Sequence, residues 1–355
     1  MRSTIKSLLL ASVLTIAGVA QASADVTLRN AEGGPNRGTR AAAVQFFADE
    51  VERLSAGEIK VDVHWGGALL KLSSTMEGVS AGSADLGTVL SSYEPQELKA
   101  LGIGDIPLEH SDPWVGMRAM YDLMTSESEL KQSLANKSLI YLSNFSTSGV
   151  QFECTEGNEI LTIEDIEGKR LRATGTYSNV LADLGGNMVG MPFNEVYQGL
   201  DTGLLDCLGS YFYTMRAYKT YEVVETVTRV DWGQLLGFAI VMNEYMWSDL
   251  DEEQQAIMMK AGSNMIDHFA RLIIGEADEV AEKLASGDFG KVVPVTPIAE
   301  KERQKILDAT LTYRDSWIAD ANARGLSGER IWSRYIELLE QYQGTLEARG
   351  YPWQE

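Results

Sequence analysis

Apolar residues recur along this chain with two different periods, and the order of these periods predicts strands separated by helices. Residues 26–30 and 59–65 alternate apolar and polar side chains, as half-buried strands do, whereas residues 39–54 between them carry apolar side chains at helical spacing. A short helix over 74–81 and a strand over 84–89 extend the series. This order of elements favours a mostly parallel sheet wrapped by helices.

The same order begins again in the middle of the chain. The elements predicted there are strands over 139–145 and 150–154, a capped turn and strand within 162–173, a helix over 177–184, a strand near 187–189, a helix over 194–202 and a strand over 205–208. A chain of 355 residues is long enough for about two domains. Pattern and length together predict an α/β protein with two lobes.

Helical periodicity dominates from Ser248 onward. Residues 251–261 and 266–284 predict one very long helix or two helices in tandem. Ser248 is the expected N-cap, because the acidic residues that follow it would lie where the helix dipole favours negative charge. Two further helices are predicted over 299–324 and 327–349.

The first 24 residues predict a secretory signal peptide. Arg2 and Lys6 give a positive start, residues 8–20 form an apolar run too short to span a bilayer, and Ala22-Ser23-Ala24 offers small residues at a cleavage site. A buried amphipathic helix is the alternative for this segment. Cleavage would release an exported protein beginning at Asp25, and no later run reaches the about 18 apolar residues that predict a membrane span.

The chain is strongly acidic, which narrows the classes of partner. Its formal net charge is −21 at pH 7. A field of that sign repels phosphate backbones and anionic lipid headgroups, so we expect neither nucleic-acid binding nor membrane-surface binding. An anionic small molecule would therefore need a locally positive site.

The usual sequence motifs of catalysis, cofactor binding and metal binding are missing from the chain. It has no phosphate-binding loop, no H-E-x-x-H pair and no G-x-S-x-G turn, and its three histidines are scattered. We therefore expect a binding protein, with no catalytic residue, no cofactor and no metal site. Cys154 and Cys207 are expected to form one disulfide in an oxidising compartment, with two buried thiols as the alternative.

Two arginines are the candidate binding residues. Arg170 and Arg172 lie two apart at the end of a predicted strand, and the turn Thr174-Gly175-Thr176 follows them. A guanidinium presents two parallel N–H donors that match the oxygens of a carboxylate, so an arginine at a strand's carboxyl end can clamp an organic acid. An ordinary ion pair between strands explains the same residues, and the pattern alone leaves both interpretations open.

From this region outward, the sequence resembles the solute-binding proteins of tripartite ATP-independent periplasmic (TRAP) transporters, of the dicarboxylate-binding DctP type. The segments that carry the resemblance are IEGKRLR (166–172), LGG (184–186), MPFNEVY (191–197) and LDTGLLD (200–206), together with NA (30–31), GSADLG (82–87) and LDEEQQ (250–255). The resemblance implies two α/β lobes joined by strands and a long lobe-spanning helix. It also implies that the lobes close over an organic acid and deliver it to a sodium-driven membrane permease.

The resemblance assigns roles to individual residues. Arg172 matches the family's carboxylate-clamping arginine, Phe193 an aromatic ring that packs on the ligand, and Asn30 a polar contact from the first lobe. Ser210 stands where many members have an asparagine that assists the clamp. No second arginine lies near 150–151, where sialic-acid-binding members carry one, so sialic acid is not the expected ligand.

Several aromatic residues lie at or near positions that face the cleft in relatives: Tyr93, Phe193, Tyr211, Phe212, Tyr213 and Trp232. A pocket with one arginine and several rings suits a monocarboxylate with an apolar or hydroxylated body better than a doubly charged C4-dicarboxylate. The alternative is that several of these rings belong to the core of a lobe.

The resemblance also predicts how the chain is divided. The expected parts are the signal peptide 1–24, lobe I over 25–148 and 238–280, and lobe II with the C-terminal helices over 149–237 and 281–355. We expect a periplasmic receptor that performs no chemistry. Two other classes stay open: a receptor of another importer class or a sensor, and a periplasmic hydrolase or lyase.

Overall fold

The computed structural model describes residues 26–109 and 112–354, and the predicted signal peptide lies outside these residues. Their strands are β1 (Val26–Ala31), β2 (Ile59–His64), β3 (Leu86–Leu90), β4 (Leu139–Phe145), β5 (Val150–Cys154), β6 (Arg170–Arg172), β7 (Asn187–Met188), β8 (Cys207–Ser210), β9 (Thr226–Trp232), β10 (Phe238–Asn243) and β11 (Val295–Pro297). Their α-helices are α1 (Thr39–Leu54), α2 (Thr75–Ser80), α3 (Pro113–Ser126), α4 (Ser128–Ala135), α5 (Gly175–Asp183), α6 (Val196–Asp201), α7 (Phe212–Tyr218), α8 (Glu244–Ser248), α9 (Glu252–Ile274), α10 (Glu276–Ser286), α11 (Glu300–Ala323) and α12 (Gly328–Arg349).

The strands form two sheets of the same design. The first has the order β2-β1-β3-β10-β4 and the second the order β11-β9-β5-β8-β6-β7. In each sheet one strand, β10 or β5, runs antiparallel to both neighbours, and the pairs that do not involve it are parallel. The predicted α/β fold with two sheets is confirmed.

The two antiparallel strands are the places where the chain changes sheets. The segment 146–149 leads from β4 of the first sheet to β5 of the second, and the segment 233–237 leads from β9 back to β10. Strands β3, β5, β8 and β10 are buried at every residue. Sheets covered on both faces read as continuous apolar runs, and two such sheets account for the two lobes.

The predicted long helix is two helices in tandem, separated only by Gly275. Helix α9 packs on α1 and β4 at the first sheet, and α10 packs on α7 and β11 at the second. This pair therefore spans both lobes and provides a third connection between them.

The expected N-cap of the long helix is wrong by three residues. Asp251 caps α9: its carboxylate accepts from the backbone N–H of Gln254 at 2.9 Å, and the Gln254 side chain accepts from the N–H of Asp251 at 3.2 Å. Ser248 instead ends α8, which Asn243 caps, and the Ser248 hydroxyl donates to the carbonyl of Glu244. The sequence pattern does not predict α8, the five-residue helix that precedes the acidic stretch in the chain.

The two C-terminal helices lie against different sheets. Helix α11 packs on α5 and β9, whereas α12 packs on α3 and on α11. Trp317 of α11 and Tyr335 of α12 are buried in these contacts. The boundaries predicted for the two lobes stay a prediction. None of the helices in the described residues is long and apolar enough to cross a membrane.

The predicted disulfide between Cys154 and Cys207 is confirmed. The two cysteines are register partners on the antiparallel neighbours β5 and β8, with their Cα atoms 4.1 Å apart. The bond closes a segment of 53 residues in the second sheet. This segment includes β6 and therefore Arg172.

Removing the disulfide is expected to destabilise the second lobe. The double variant C154A/C207A should lose about 2–4 kcal/mol of the free energy of unfolding, because the unfolded chain regains the freedom that the closed loop removes. Urea unfolding, with and without a reducing agent, measures this loss. The reducing agent should lower the stability of the wild type and leave that of the double variant unchanged, and equal curves for both proteins would contradict the expectation.

Candidate functional site

A cleft lies where the carboxyl edges of the two sheets face each other. Leu90 at the end of β3 and Phe238 at the start of β10 line it from the first sheet, while Arg172 at the end of β6 and Tyr211 just after β8 line it from the second. The cleft holds about 550 Å³ of space, including its open mouth. Ligands of α/β sheets bind at such edges.

Arginines line this cleft, and carboxylates among the described residues do not. Arg37 and Arg40 reach it from the first lobe, and Arg172 reaches it from the second. In a chain with a net charge of −21 this is a local reversal of sign. The cleft therefore has the locally positive character that an anionic ligand requires.

Arg172 is a buried cation without a protein anion. Its residue is 4% exposed, and among the described residues no carboxylate lies within ion-pair distance of it. Its Nε donates to the carbonyl of Met191 at 3.2 Å, and its Nη1 donates to the hydroxyl of Thr174 at 2.7 Å. Burial lowers the pKa of the Arg172 guanidinium below its usual value, since desolvation disfavours the charged form.

Arg170 differs from Arg172 in every one of these respects. Its side chain is half exposed, and it forms an ion pair with Asp206 on the adjoining loop. Its backbone N–H also donates to that carboxylate, at 2.7 Å. The ion-pair interpretation therefore applies to Arg170, and the clamp interpretation remains for Arg172.

Four of the predicted aromatic residues line the cleft: Tyr93, Phe193, Tyr211 and Tyr213. The Phe193 ring centroid lies 5.0 Å from Cζ of Arg172, within the range of a cation–π contact. The backbone N–H of Phe193 donates to the Tyr93 hydroxyl at 3.0 Å, which joins the two lobes across the cleft. Burial raises the pKa of both Tyr211 and Tyr213, so their hydroxyls are neutral at pH 7.

Four predicted residues do not line the cleft. Trp232 and Phe212 are fully buried in the core. Asn30 is fully buried within β1, short of the strand's end. Ser210 reaches the cleft only through Thr214, whose hydroxyl lies 2.8 Å from its own.

Arg40 is a second, largely buried arginine at the cleft that the sequence pattern did not identify. It lies in the first turn of α1, and its Nη2 bonds Oε1 of Glu32 at 2.7 Å. Glu32 follows β1 two residues after Asn30, so the alternation of the strand places both on one face. A cation in the first turn of a helix opposes the helix dipole, and this was the signal that could have identified Arg40.

The model of the DctP family, described as bacterial extracellular solute-binding protein, family 7, matches residues 31–317. The chain belongs to this family. The match begins at the last residue of β1 and includes Arg172, Arg40 and the four aromatic residues that line the cleft. The chain is therefore a periplasmic solute-binding protein of the TRAP type.

Curated relatives agree with this assignment at low identity. A solute-binding protein of Albidiferax ferrireducens is 25% identical over 232 residues, which cover 62% of this chain and 65% of the relative. The C4-dicarboxylate-binding periplasmic protein DctP of Rhodobacter capsulatus is 26% identical over 241 residues, which cover 66% of this chain and 70% of the relative.

Solved structures of solute-binding proteins share the fold of this chain. A TRAP solute-binding protein of Rhodoferax ferrireducens, in complex with copurified benzoate, has a TM-score of 0.80 at 16% identity and covers 90% of this chain and 99% of its own. A marine metagenome protein specific for aromatic acids, with 3-hydroxybenzoate, has 0.78 at 22% and the same coverages. The sugar acid binding protein DctPAm of Advenella mimigardefordensis, with galactonate, has 0.76 at 20%, covering 89% and 99%.

Proposed function

We propose that this protein captures an organic acid between its two lobes through Arg172 and delivers it unchanged to the permease of a TRAP transporter. The observation that carries the proposal is the guanidinium of Arg172, which is buried at the junction of the lobes without an anion among the described residues. A buried charge left unpaired is costly, and a ligand carboxylate would remove that cost.

The hydrogen bonds of Arg172 support a clamp. The carbonyl of Met191 and the hydroxyl of Thr174 occupy Nε and Nη1, which holds the guanidinium plane in place. The Tyr93 hydroxyl also lies close enough to hydrogen-bond the guanidinium, but no carboxylate among the described residues pairs with it, and Nη1 keeps a second N–H. A carboxylate can accept from both groups at once, because its two oxygens match the spacing of the guanidinium donors.

The cleft also explains how a ligand would close the two lobes. Tyr93 approaches from the first lobe, and Arg172 and Phe193 approach from the second. A ligand that contacts all three binds the closed arrangement better than the open one, so it shifts the population towards closure.

We further propose that the ligand is a monocarboxylate with a ring. The walls offer one buried arginine without an anion, and the rings of Tyr93, Phe193, Tyr211 and Tyr213. Aromatic walls provide large apolar contact area with hydroxyls at the edge. Neighbours of the same fold that hold benzoate or 3-hydroxybenzoate support an aromatic acid, while the galactonate neighbour and the dicarboxylate-binding relative define the alternatives.

A panel of acids tests this proposal by thermal shift. Benzoate and 3-hydroxybenzoate, at about 100 times their Kd, are expected to raise the Tm of the purified protein by several degrees, because a ligand that binds only the folded state stabilises it. Succinate and galactonate at the same concentration should raise it less. Stabilisation by succinate alone would contradict the proposal that the ligand is a monocarboxylate. Stabilisation by galactonate alone would contradict the proposal that the ligand has a ring. If no acid stabilises the protein, the proposed binding of an organic acid is wrong.

A further inference from the structure

We propose that Arg40 is a second ligand contact, and that its pairing with Glu32 makes the site select acids with an uncharged oxygen, such as a hydroxyl, over acids with a second carboxylate. The inference rests on the proposed function, in which Arg172 takes the ligand's one carboxylate. It adds the chemistry that the first lobe recognises at the other part of the ligand.

Hydrogen bonds hold the carboxylate of Glu32 in its ion pair with Arg40. Its side chain is 1% exposed. Oε1 accepts from Nη2 of Arg40 at 2.7 Å and from the backbone N–H of Gly34 at 2.6 Å, and Oε2 accepts from the hydroxyl of Thr88 at 2.7 Å. Both carboxylate oxygens are therefore occupied, and the charge of Glu32 is fixed beside that of Arg40.

Gly34 is required for this arrangement. A Cβ atom at position 34 would lie 1.7 Å from Nη2 of Arg40, so a side chain there would displace the guanidinium. The turn between β1 and α1 thus packs the N–H of Gly34, the carboxylate of Glu32 and the guanidinium of Arg40 directly against one another. A buried ion pair of this quality adds little stability compared with apolar residues, which favours a role in specificity.

The other side of Arg40 faces the ligand space. Arg40 lines the cleft with Tyr211, Tyr213 and Tyr218. Its Nε and Nη1 have no hydrogen-bond acceptor among the described residues, so N–H donors remain for a ligand. Burial raises the pKa of the three tyrosines, so they add no negative charge of their own at pH 7.

The charges of the two arginines then define the ligand. Arg172 has no counter-charge, and Arg40 is neutralised by Glu32, so an acid with one negative charge makes the buried cleft neutral. A second carboxylate at Arg40 would leave one uncompensated negative charge there, which is unfavourable in a desolvated site. A hydroxyl oxygen can accept from Arg40 without that cost, and a ligand with no polar group leaves the donor unpaired.

Arg53, near the other end of α1, serves as the matched control. Its side chain is exposed, forms an ion pair with Glu50 and does not line the cleft. Solvent screens an exposed charge, so Arg53 should contribute little to the choice between ligands.

The test measures Kd by calorimetry for benzoate, 3- and 4-hydroxybenzoate, and the corresponding benzene dicarboxylates, with galactonate and galactarate as the aliphatic pair. The wild type is expected to bind the hydroxy acid at least tenfold more tightly than the diacid. Glu32→Gln leaves Arg40 charged and unpaired. It should therefore lower the Kd of the diacid at least tenfold and change the Kd of the hydroxy acid little. Arg40→Gln should remove the advantage of the hydroxy acid over benzoate, and Arg53→Gln should leave all ratios of Kd unchanged.

The outcomes separate this inference from the proposed function. If no acid binds the wild type, the proposed function itself fails. If acids bind but Glu32→Gln, folded by circular dichroism, leaves the ratio of diacid to hydroxy acid unchanged, Arg40 and Glu32 do not set specificity. If Glu32→Gln does not fold, Arg40→Gln decides: loss of the hydroxyl preference supports the inference, and an unchanged preference overturns it.

Discussion

Replacing Arg172 by alanine is expected to weaken binding of the acid ligand at least 100-fold while the fold is kept. Truncating one partner of a buried charge pair costs about 2–5 kcal/mol. Because Arg172 has no carboxylate partner among the described residues, the alanine variant leaves no orphaned protein anion behind. The unliganded variant should therefore be at least as stable to urea as the wild type, whereas loss of an ordinary buried ion pair would destabilise it.

Arg172→Lys separates charge from geometry. A lysine keeps the positive charge but offers a point charge instead of two parallel N–H groups, so we expect binding to weaken at least tenfold. Calorimetric titration measures both variants. Arg170→Ala is the control on the same strand, because Arg170 is half exposed and paired with Asp206, and its affinity should equal that of the wild type. If the lysine variant binds the ligand as tightly as the wild type, Arg172 does not clamp the carboxylate.

The second large effect is expected at Glu153, in the middle of β5. Glu153 is fully buried, its Oε2 accepts from the hydroxyl of Thr220 at 2.9 Å, and its Oε1 has no partner among the described residues. Burial raises the pKa of Glu153 to about 8, although the hydrogen bond from Thr220 lowers it in part. At neutral pH this carboxyl group is largely protonated in the folded protein.

This shift makes the stability of the protein depend on pH. The folded pKa lies above the unfolded one, so the contribution of Glu153 is fully present below about pH 4.5 and is lost as the pH rises through about 8. Glu153→Gln, which has the same shape and no charge, should therefore be more stable than the wild type by roughly 3–5 kcal/mol at pH 9. At pH 4.5 the two proteins should differ little.

Urea unfolding at several pH values between 4.5 and 9 measures this difference. The control is Glu302→Gln, a buried residue whose carboxylate is paired with Lys305 and whose pKa is lowered, so this variant should lose stability at neutral pH. Parallel curves for the wild type and Glu153→Gln across the range would show that the carboxyl group of Glu153 has no raised pKa.

Ser210 lies beside Glu153 in the core, whereas the resemblance implied a position next to the clamp. The hydroxyl of Ser210 lies between the buried carboxyl group of Glu153 and the hydroxyl of Thr214, and only Thr214 lines the cleft. Ser210 therefore connects the core of the second sheet to the cleft wall.

Much of the fold follows from local patterns. Periods of two and of 3.6 located the first strands and helices, because the side chains of such an element must present one apolar face to a core. The position of Arg172 at a strand's carboxyl end placed it at a sheet edge before any contact was known. The N-cap of α9 was misplaced, since the short helix α8 uses the residues just before it.

The sequence by itself determined that the protein is an exported, acidic, two-lobed α/β binding protein of the DctP type, with an arginine at the end of a strand of its second sheet. The structure decided that its two cysteines are bonded. Only the tertiary structure decided which charges have partners. Periodicity shows which face a side chain occupies but not what lies opposite it. Arg170 meets Asp206, Arg172 meets no carboxylate among the described residues, and Glu32 is held by Thr88, 56 residues away. These pairings arise from segments that come together only on folding, and they decide what the cleft can bind.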